Sequence, residues 1–235
     1  MFFQKDVTML QLYIGNKNYS SWSMRPWVAM RQLGIAFDEV MVRFDGFGAD
    51  SQFKHTMQAL SPTGNVPLLV HEGLAVWDTL AIAEYLAETF PHAGVWPSAA
   101  PDRARARSLC AEMHSGFTAL RSHCPMNIEA HLPEVGAKIW AEHAAVRANV
   151  ARIVEMWSTL LQAHSGPMLF GSFSMADAFF APVCMRLHTY DLPVPPAIRA
   201  YIARVRALPA VQDWINAALA EHDFVAEDEP YRTQR

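Results

Sequence analysis

The sequence predicts an α/β domain followed by an all-helical one, and three observations carry that reading. Strand and helix signals alternate from Leu10 to Phe90. A segment with three prolines and a glycine, Pro91 to Pro101, then interrupts the pattern. After it the strand signals vanish and apolar residues recur at helical spacing.

Leu10 to Ile14 is a short apolar run that reads as a strand. Met24 to Leu33 reads as a helix stopped by Gly34, and Pro26 is acceptable there if it falls in the first turn. Phe37 to Arg43 alternates as a second strand, and Ser51 to Leu60 forms a short helix. Val66 to Val70 is a third strand, joined to Leu74–Trp77 by a hairpin at His71-Glu72-Gly73. Asp78 and Thr79 open a helix running to Phe90, which gives the order βαβαββα. Beyond the linker, helices are predicted at Asp102–Leu120, Ser174–Arg186, Pro196–Ala207 and Val211–Glu221. Ile139, Val146, Val150, Ile153, Trp157 and Leu160 belong to one long amphipathic helix, with His143 on its face.

Composition narrows the function. At 235 residues, 51% hydrophobic and 18% charged, the chain can bury a real core. A formal charge of −4 with no Lys/Arg block argues against nucleic acid as a partner, while leaving room for small anions. Cys110, Cys124 and Cys184 are odd in number and lack CxxC spacing, so neither a disulfide framework nor a zinc site is expected, and no metal is assigned. Lys5 and Asp6 break up the apolar start, no run has the length of a membrane span, and a cytoplasmic protein is expected. Residues 1 to 8 read as dispensable.

Three stretches carry chemistry. Tyr19, Ser20, Ser21 and Ser23 crowd hydroxyls at the mouth of the first helix, where one cap would suffice. In Asn65-Val66-Pro67 a proline enters a strand to which it cannot donate, which means an edge, a bulge or a cis bond. In Trp77-Asp78-Thr79 a strand hands over to a helix N-terminus, a place ready for a carboxylate. Thr79 taken alone reads as the cap of its helix before it reads as a ligand-binding residue.

Together these motifs resemble the cytosolic glutathione transferases. "SSWS" followed by Arg25 is similar to the "SSCS-x-R" signature of the zeta class, the maleylacetoacetate isomerases. "GNVPLLV" resembles the family's cis-proline motif, "VWDTLAIAEYLAETFP" its following helix, and "GSFSMADAFFAP" its capped helix in the second domain, with Ser174 and Asp177 as a capping box. The resemblance spans residues 9 to 222. It implies a thioredoxin-like glutathione-binding domain over 9–90, a linker over 91–101, an all-helical domain over 102–222, and a homodimer.

By that resemblance Ser20, or second Ser21, activates the thiol of glutathione for attack on a small electrophile. Asn65, Val66, Pro67, Asp78 and Thr79 bind glutathione, the co-substrate. The electrophile pocket is expected from Met113, His114 and Phe117, with Trp22 and Trp27 nearby. Two departures stand out: Trp22 replaces the zeta cysteine, and Asn65 stands where many relatives carry Lys or Gln. The alternatives are a glutathione-dependent isomerase of the maleylacetoacetate type, a thiol-dependent oxidoreductase, and a non-catalytic regulatory protein like the stringent starvation proteins.

Overall fold

The computed structural model describes residues 9–235, so the reading of residues 1 to 8 lies outside the described residues. Strand β1 (Leu10–Ile14) lies inside a four-stranded sheet, parallel to β2 (Phe37–Met41) and antiparallel to β3 (Leu68–His71). β3 pairs antiparallel with β4 (Leu74–Trp77), giving the order β2-β1-β3-β4. The β3–β4 turn uses Glu72 and Gly73, with φ of 51° and 81°, the two positive values that a two-residue hairpin requires. A parallel β1–β2 pair needs a crossover, supplied by α1 (Ser21–Gln32).

The sheet is covered on both faces. Leu10, Leu12, Ile14 and Leu69 pack with α1 and α3 (Thr79–Thr89), and Leu68 packs with Phe53 and Met57 of α2 (Gln52–Leu60) on the other. Ser51 caps α2 by accepting from Lys54 N–H at 3.2 Å.

Helix α1 begins three residues earlier than the sequence reading. Met24 N–H already donates to Ser20 C=O at 3.1 Å, so Ser21, Trp22 and Ser23 are helical. Pro26 is therefore the sixth residue of α1, in its second turn rather than its first. β2 stops at Met41 rather than Arg43. β3 starts at Leu68 rather than Val66: the Val66–Pro67 bond is cis, and Pro67 has no N–H for a ladder.

The second half of the chain is helical: α4 (Ala100–Ser115), α5 (Thr118–His123), α6 (Pro133–Glu142), α7 (Ala144–Ala163), α8 (Met175–Thr189), α9 (Pro196–Arg206) and α10 (Pro209–Glu221). Two expected helices are each divided. Asp102–Leu120 breaks at Gly116–Phe117, where Phe117 takes φ 55°, and the long amphipathic helix breaks at His143. His143 is thus a hinge residue between α6 and α7, not a helix-face residue; its ring stacks on His123 at 3.8 Å.

Helix α8 is the spine. It is buried along almost its whole length and packs on α1, α4 and α9. Its capping box is present: Ser174 Oγ accepts from Ala176 N–H at 3.3 Å, and Asp177 Oδ2 accepts from Ser174 N–H at 3.0 Å. Asp177 Oδ1 also accepts from Leu169 N–H and from the Tyr201 hydroxyl, at 3.0 and 2.9 Å. After α10 the chain returns through a 3-10 turn at Ala226–Asp228 and lies against the β1–α1 loop. Among the described residues no helix is long and apolar enough to cross a membrane.

Candidate active site

A cavity of about 730 Å³ lies between the sheet domain and the helices, and all three chemistry-bearing stretches open into it. Ser20, Ser21, Asn65, Val66, Pro67, Asp78 and Thr79 all line its wall.

The hydroxyl cluster is held by local turns. Ser20 N–H and Ser21 N–H donate to Asn16 C=O and Tyr19 C=O, both at 2.8 Å. Ser20 occupies the N-cap position of α1 yet makes no side-chain cap. Instead its hydroxyl donates to Ser23 Oγ at 2.7 Å, and Ser23 Oγ also accepts from Gly15 N–H at 3.2 Å. Ser23 thereby keeps its own hydrogen free. It can reverse the bond and donate to Ser20, releasing Ser20's hydrogen toward the cavity. Ser21 is bound differently: its oxygen accepts from Arg186 Nη2 at 3.1 Å.

At the start of α3 the cap is Asp78, not Thr79. Asp78 Oδ1 accepts from Leu80 N–H at 2.9 Å, and Oδ2 meets His114 Nε2 at 2.6 Å. Asp78 has φ 65° and ψ 139°, a conformation that L residues adopt at a cost of about 1–3 kcal/mol and that gathers at ligand sites. Thr79 is 1% exposed and its hydroxyl makes no hydrogen bond among the described residues, although it lines the cavity at a helix N-terminus. In the preceding loop, the N–H and C=O of Val66 lie outside the strand ladder. Asn65 Oδ1 accepts from Lys54 Nζ at 2.8 Å. This lysine of α2 thus brings a cation to the place where Asn65 departs from the motif, a contribution that spacing in the sequence does not signal.

The helical side of the cavity differs from the expected list. His114 and Trp22 line it. Met113 is fully buried in the core, and Phe117 turns inward at the α4–α5 break. Trp27 also points away, packing on Trp214 at 5.3 Å with its indole N–H donating to Glu39 at 2.6 Å. These three positions sit at apolar spacing, which serves core and pocket equally well.

The sequence reading took Arg25 only as part of a motif and missed Arg121 and Arg186. Arg25, 1% exposed, donates from Nε to Phe179 C=O at 2.8 Å and from Nη1 to Ser21 C=O at 3.3 Å. Its guanidinium lies 3.8 Å from the Trp22 ring centroid, and that of Arg121 lies 5.0 Å away. The indole that replaces cysteine in the motif therefore contacts two cations. Burial, reinforced by Arg186 and Arg121, pulls Arg25 well below the usual arginine range. Burial lowers Arg186 to about 10, so it stays charged at neutral pH. Among the described residues none of the three has a carboxylate in hydrogen-bond contact, and Arg186 Nε, buried, has no hydrogen-bond partner.

The carboxyl-terminal segment closes the remaining side. The Tyr19 hydroxyl donates to Glu229 at 2.8 Å and accepts from Val225 N–H at 3.4 Å. Burial, then Glu229, pushes its pKa up to about 12. Asp228, next in the same turn, lines the cavity. Phe44 and Phe47, with Phe53 behind them at 4.9 and 6.2 Å, form an aromatic rim on the opposite side.

Comparison with known proteins agrees with this fold. The family model described as "Glutathione S-transferase, N-terminal domain" matches residues 19–89, and that described as "Glutathione S-transferase, C-terminal domain" matches residues 141–217. Glutathione S-transferase 1 of Dianthus caryophyllus is 29% identical over 180 residues, 75% of this chain and 76% of that one. Maleylacetoacetate isomerase of Rattus norvegicus is 28% identical over 204 residues, 86% of this chain and 89% of that one. A glutathione transferase homologue from Burkholderia, solved with bound glutathione, superimposes with TM-score 0.66 at 26% identity, covering 90% of this chain and 98% of its own.

Proposed function

Because the chain belongs to the glutathione S-transferase family, we propose that it is a glutathione transferase, which joins the thiol sulfur of glutathione to an electrophilic carbon of a small molecule. One observation carries this reading: the serine pair, the cis-proline loop and the α3 N-terminus share a single cavity. Glutathione is a tripeptide with two carboxylates and one thiol, and the cavity wall offers a counterpart to each.

The γ-glutamyl carboxylate is assigned to Thr79 and the α3 N-terminus, with Asp78 as cap and backbone shaper. The N–H and C=O of Val66 are assigned to the cysteinyl unit, with Pro67 fixing the turn. Asn65, backed by Lys54, is assigned to the glycine end. Ser20 is assigned to the sulfur. A cysteine thiol has a pKa near 8.5, and lowering it by about two units takes ~2.7 kcal/mol of preferential stabilisation. A charge-assisted hydrogen bond at a helix N-terminus, close to three guanidiniums, is of that order.

The electrophile is assigned to the space bounded by Trp22, His114, Arg121, Met126 and Arg186. Removal of reactive small molecules in the cytoplasm, by a homodimer, completes the reading. Maleylacetoacetate isomerisation is the competing activity, named for the rat relative; here Trp22 supplies no thiol. Calorimetric titration with glutathione, followed by a panel of displacement, addition and isomerisation substrates, tests both. Micromolar-to-millimolar binding with turnover in the panel is expected, and the absence of glutathione binding would overturn the assignment.

A further inference from the structure

Thiolate chemistry on a conjugated carbonyl needs two things besides glutathione. A cation must face the oxygen on which charge develops, and a proton must be delivered to carbon. The cavity contains both. Arg121 and Arg186 line it with no carboxylate in hydrogen-bond contact among the described residues, so their N–H groups can face an oxyanion.

The protonatable groups lining the cavity narrow to one donor. The Tyr19 hydroxyl is committed to Glu229, and His114 is paired through Nε2 with Asp78 at 2.6 Å, the other Asp78 oxygen holding Leu80 N–H. Arginines do not give up protons at neutral pH. Asp228 is left: it lines the cavity, its carboxyl makes no hydrogen bond or ion pair among the described residues, and it is half-buried.

The geometry points to Asp228 as a catalytic acid, donating a proton to an α,β-unsaturated carbonyl substrate while the glutathione sulfur adds to its β-carbon. This rests on the glutathione transferase reading above. In the step, the thiolate pair forms the S–C bond, and the C=C pair moves to give an enolate whose oxygen faces Arg121 and Arg186. Asp228 then protonates the α-carbon and the C=O re-forms. The proton released when the next glutathione ionises restores the Asp228 carboxyl, so the cycle closes without oxidant or reductant.

Asp228 is held in place rather than left as a free tail. Glu229 accepts from Tyr19 and from Asn127, each at 2.8 Å, and pairs with Arg232; Tyr231 donates to His123 C=O at 2.7 Å. The charged groups around Asp228 are Glu227 and Glu229 on its own turn and Arg186 on α8. Arg121 on α5, Tyr19 before α1 and the Asp78–His114 pair, from the cap of α3 and from α4, line the same cavity. Burial first, then Glu227, raises its carboxyl to about 6, with Arg186 opposing, so a protonated fraction persists near neutrality.

The test compares two reactions of the full chain: addition to benzalacetone, which needs a proton, and displacement on chlorodinitrobenzene, which does not. In the wild type the ratio of addition to displacement should fall as pH rises past about 6, because the acid form is lost while thiolate ionisation cancels in the ratio. Asp228→Asn should lower the ratio at least tenfold and make it independent of pH; Asp228→Glu should restore part of it. An unchanged ratio in Asp228→Asn, or a wild type that binds glutathione but adds it to no enone, overturns the proposal while sparing the transferase reading. A wild type that binds no glutathione overturns both.

Discussion

Arg186 Nη2 donates to the hydroxyl oxygen of Ser21 across the interface between the two domains, at 3.1 Å. This bond separates the two neighbouring serines. Ser21 serves a buried cation, whereas Ser20 is tied only to Ser23, a partner that can reverse its donation.

Ser21→Ala would leave Nη2 without an acceptor beside an Nε that already has none. The expected cost is about 1–3 kcal/mol of stability, read as a lower melting temperature. Ser20→Ala should instead melt normally and bind glutathione nearly as well, but raise the pKa of the bound thiol. Turnover at neutral pH should drop ten- to a hundredfold, about 1.4–2.7 kcal/mol of barrier, and recover at high pH. Thiolate absorbance against pH is the measurement; an unshifted titration in Ser20→Ala would remove Ser20 from the chemistry.

A second pair of substitutions separates capping from binding at α3. Asp78→Ala removes the bond to Leu80 N–H and should destabilise the fold by about 1 kcal/mol. Thr79→Ala deletes a hydroxyl with no partner among the described residues, so stability should hold. Glutathione affinity should fall at least several-fold, because a hydrogen bond to a carboxylate is worth roughly 1.5–3 kcal/mol. Calorimetry giving the wild-type dissociation constant for Thr79→Ala would contradict the assignment.

These residues also mark what the sequence made legible. Alternating strands, the "NVP" turn and the Ser174 capping box are local patterns with local causes, and the structure reproduces them. The start of α1 was not legible, because hydroxyl residues favour turns and helix openings alike; only the Met24 N–H to Ser20 C=O bond decides it. The break at His143 escaped a periodicity that runs smoothly through Ile139 and Val146. Arg186, Arg121 and Asp228 reach the site through tertiary packing, from positions 100 residues or more beyond Ser21, and no spacing rule links them.

The closing turn should respond to acid. Burial pushes the Glu229 carboxyl up, but Arg232, Tyr19 and Asn127 together hold it below the usual range. A depressed pKa stabilises the fold above the unfolded value, near 4.3, and that contribution is lost as pH falls through the folded value. Hydrogen exchange at Val225, whose N–H donates to the Tyr19 hydroxyl, should accelerate relative to core amides below about pH 4. Glu229→Gln should exchange faster at neutral pH and lose this acid step. A wild-type Val225 amide that tracks the core amides at every pH would refute the coupling.

The last prediction concerns assembly. β4 is an edge strand of the sheet, and its Leu74 and Trp77 are 52% and 41% exposed. An apolar edge left in water invites pairing unless something covers it. A two-fold copy is the economical cover, because one patch then meets itself. Light scattering at micromolar concentration should therefore give twice the chain mass. Leu74→Lys places a charge on that edge and should shift the mass toward one chain, with glutathione binding in the monomer retained because Leu74 lies outside the cavity wall. A wild type that scatters as one chain would refute the dimer; a Leu74→Lys variant that stays double would move the interface away from β4.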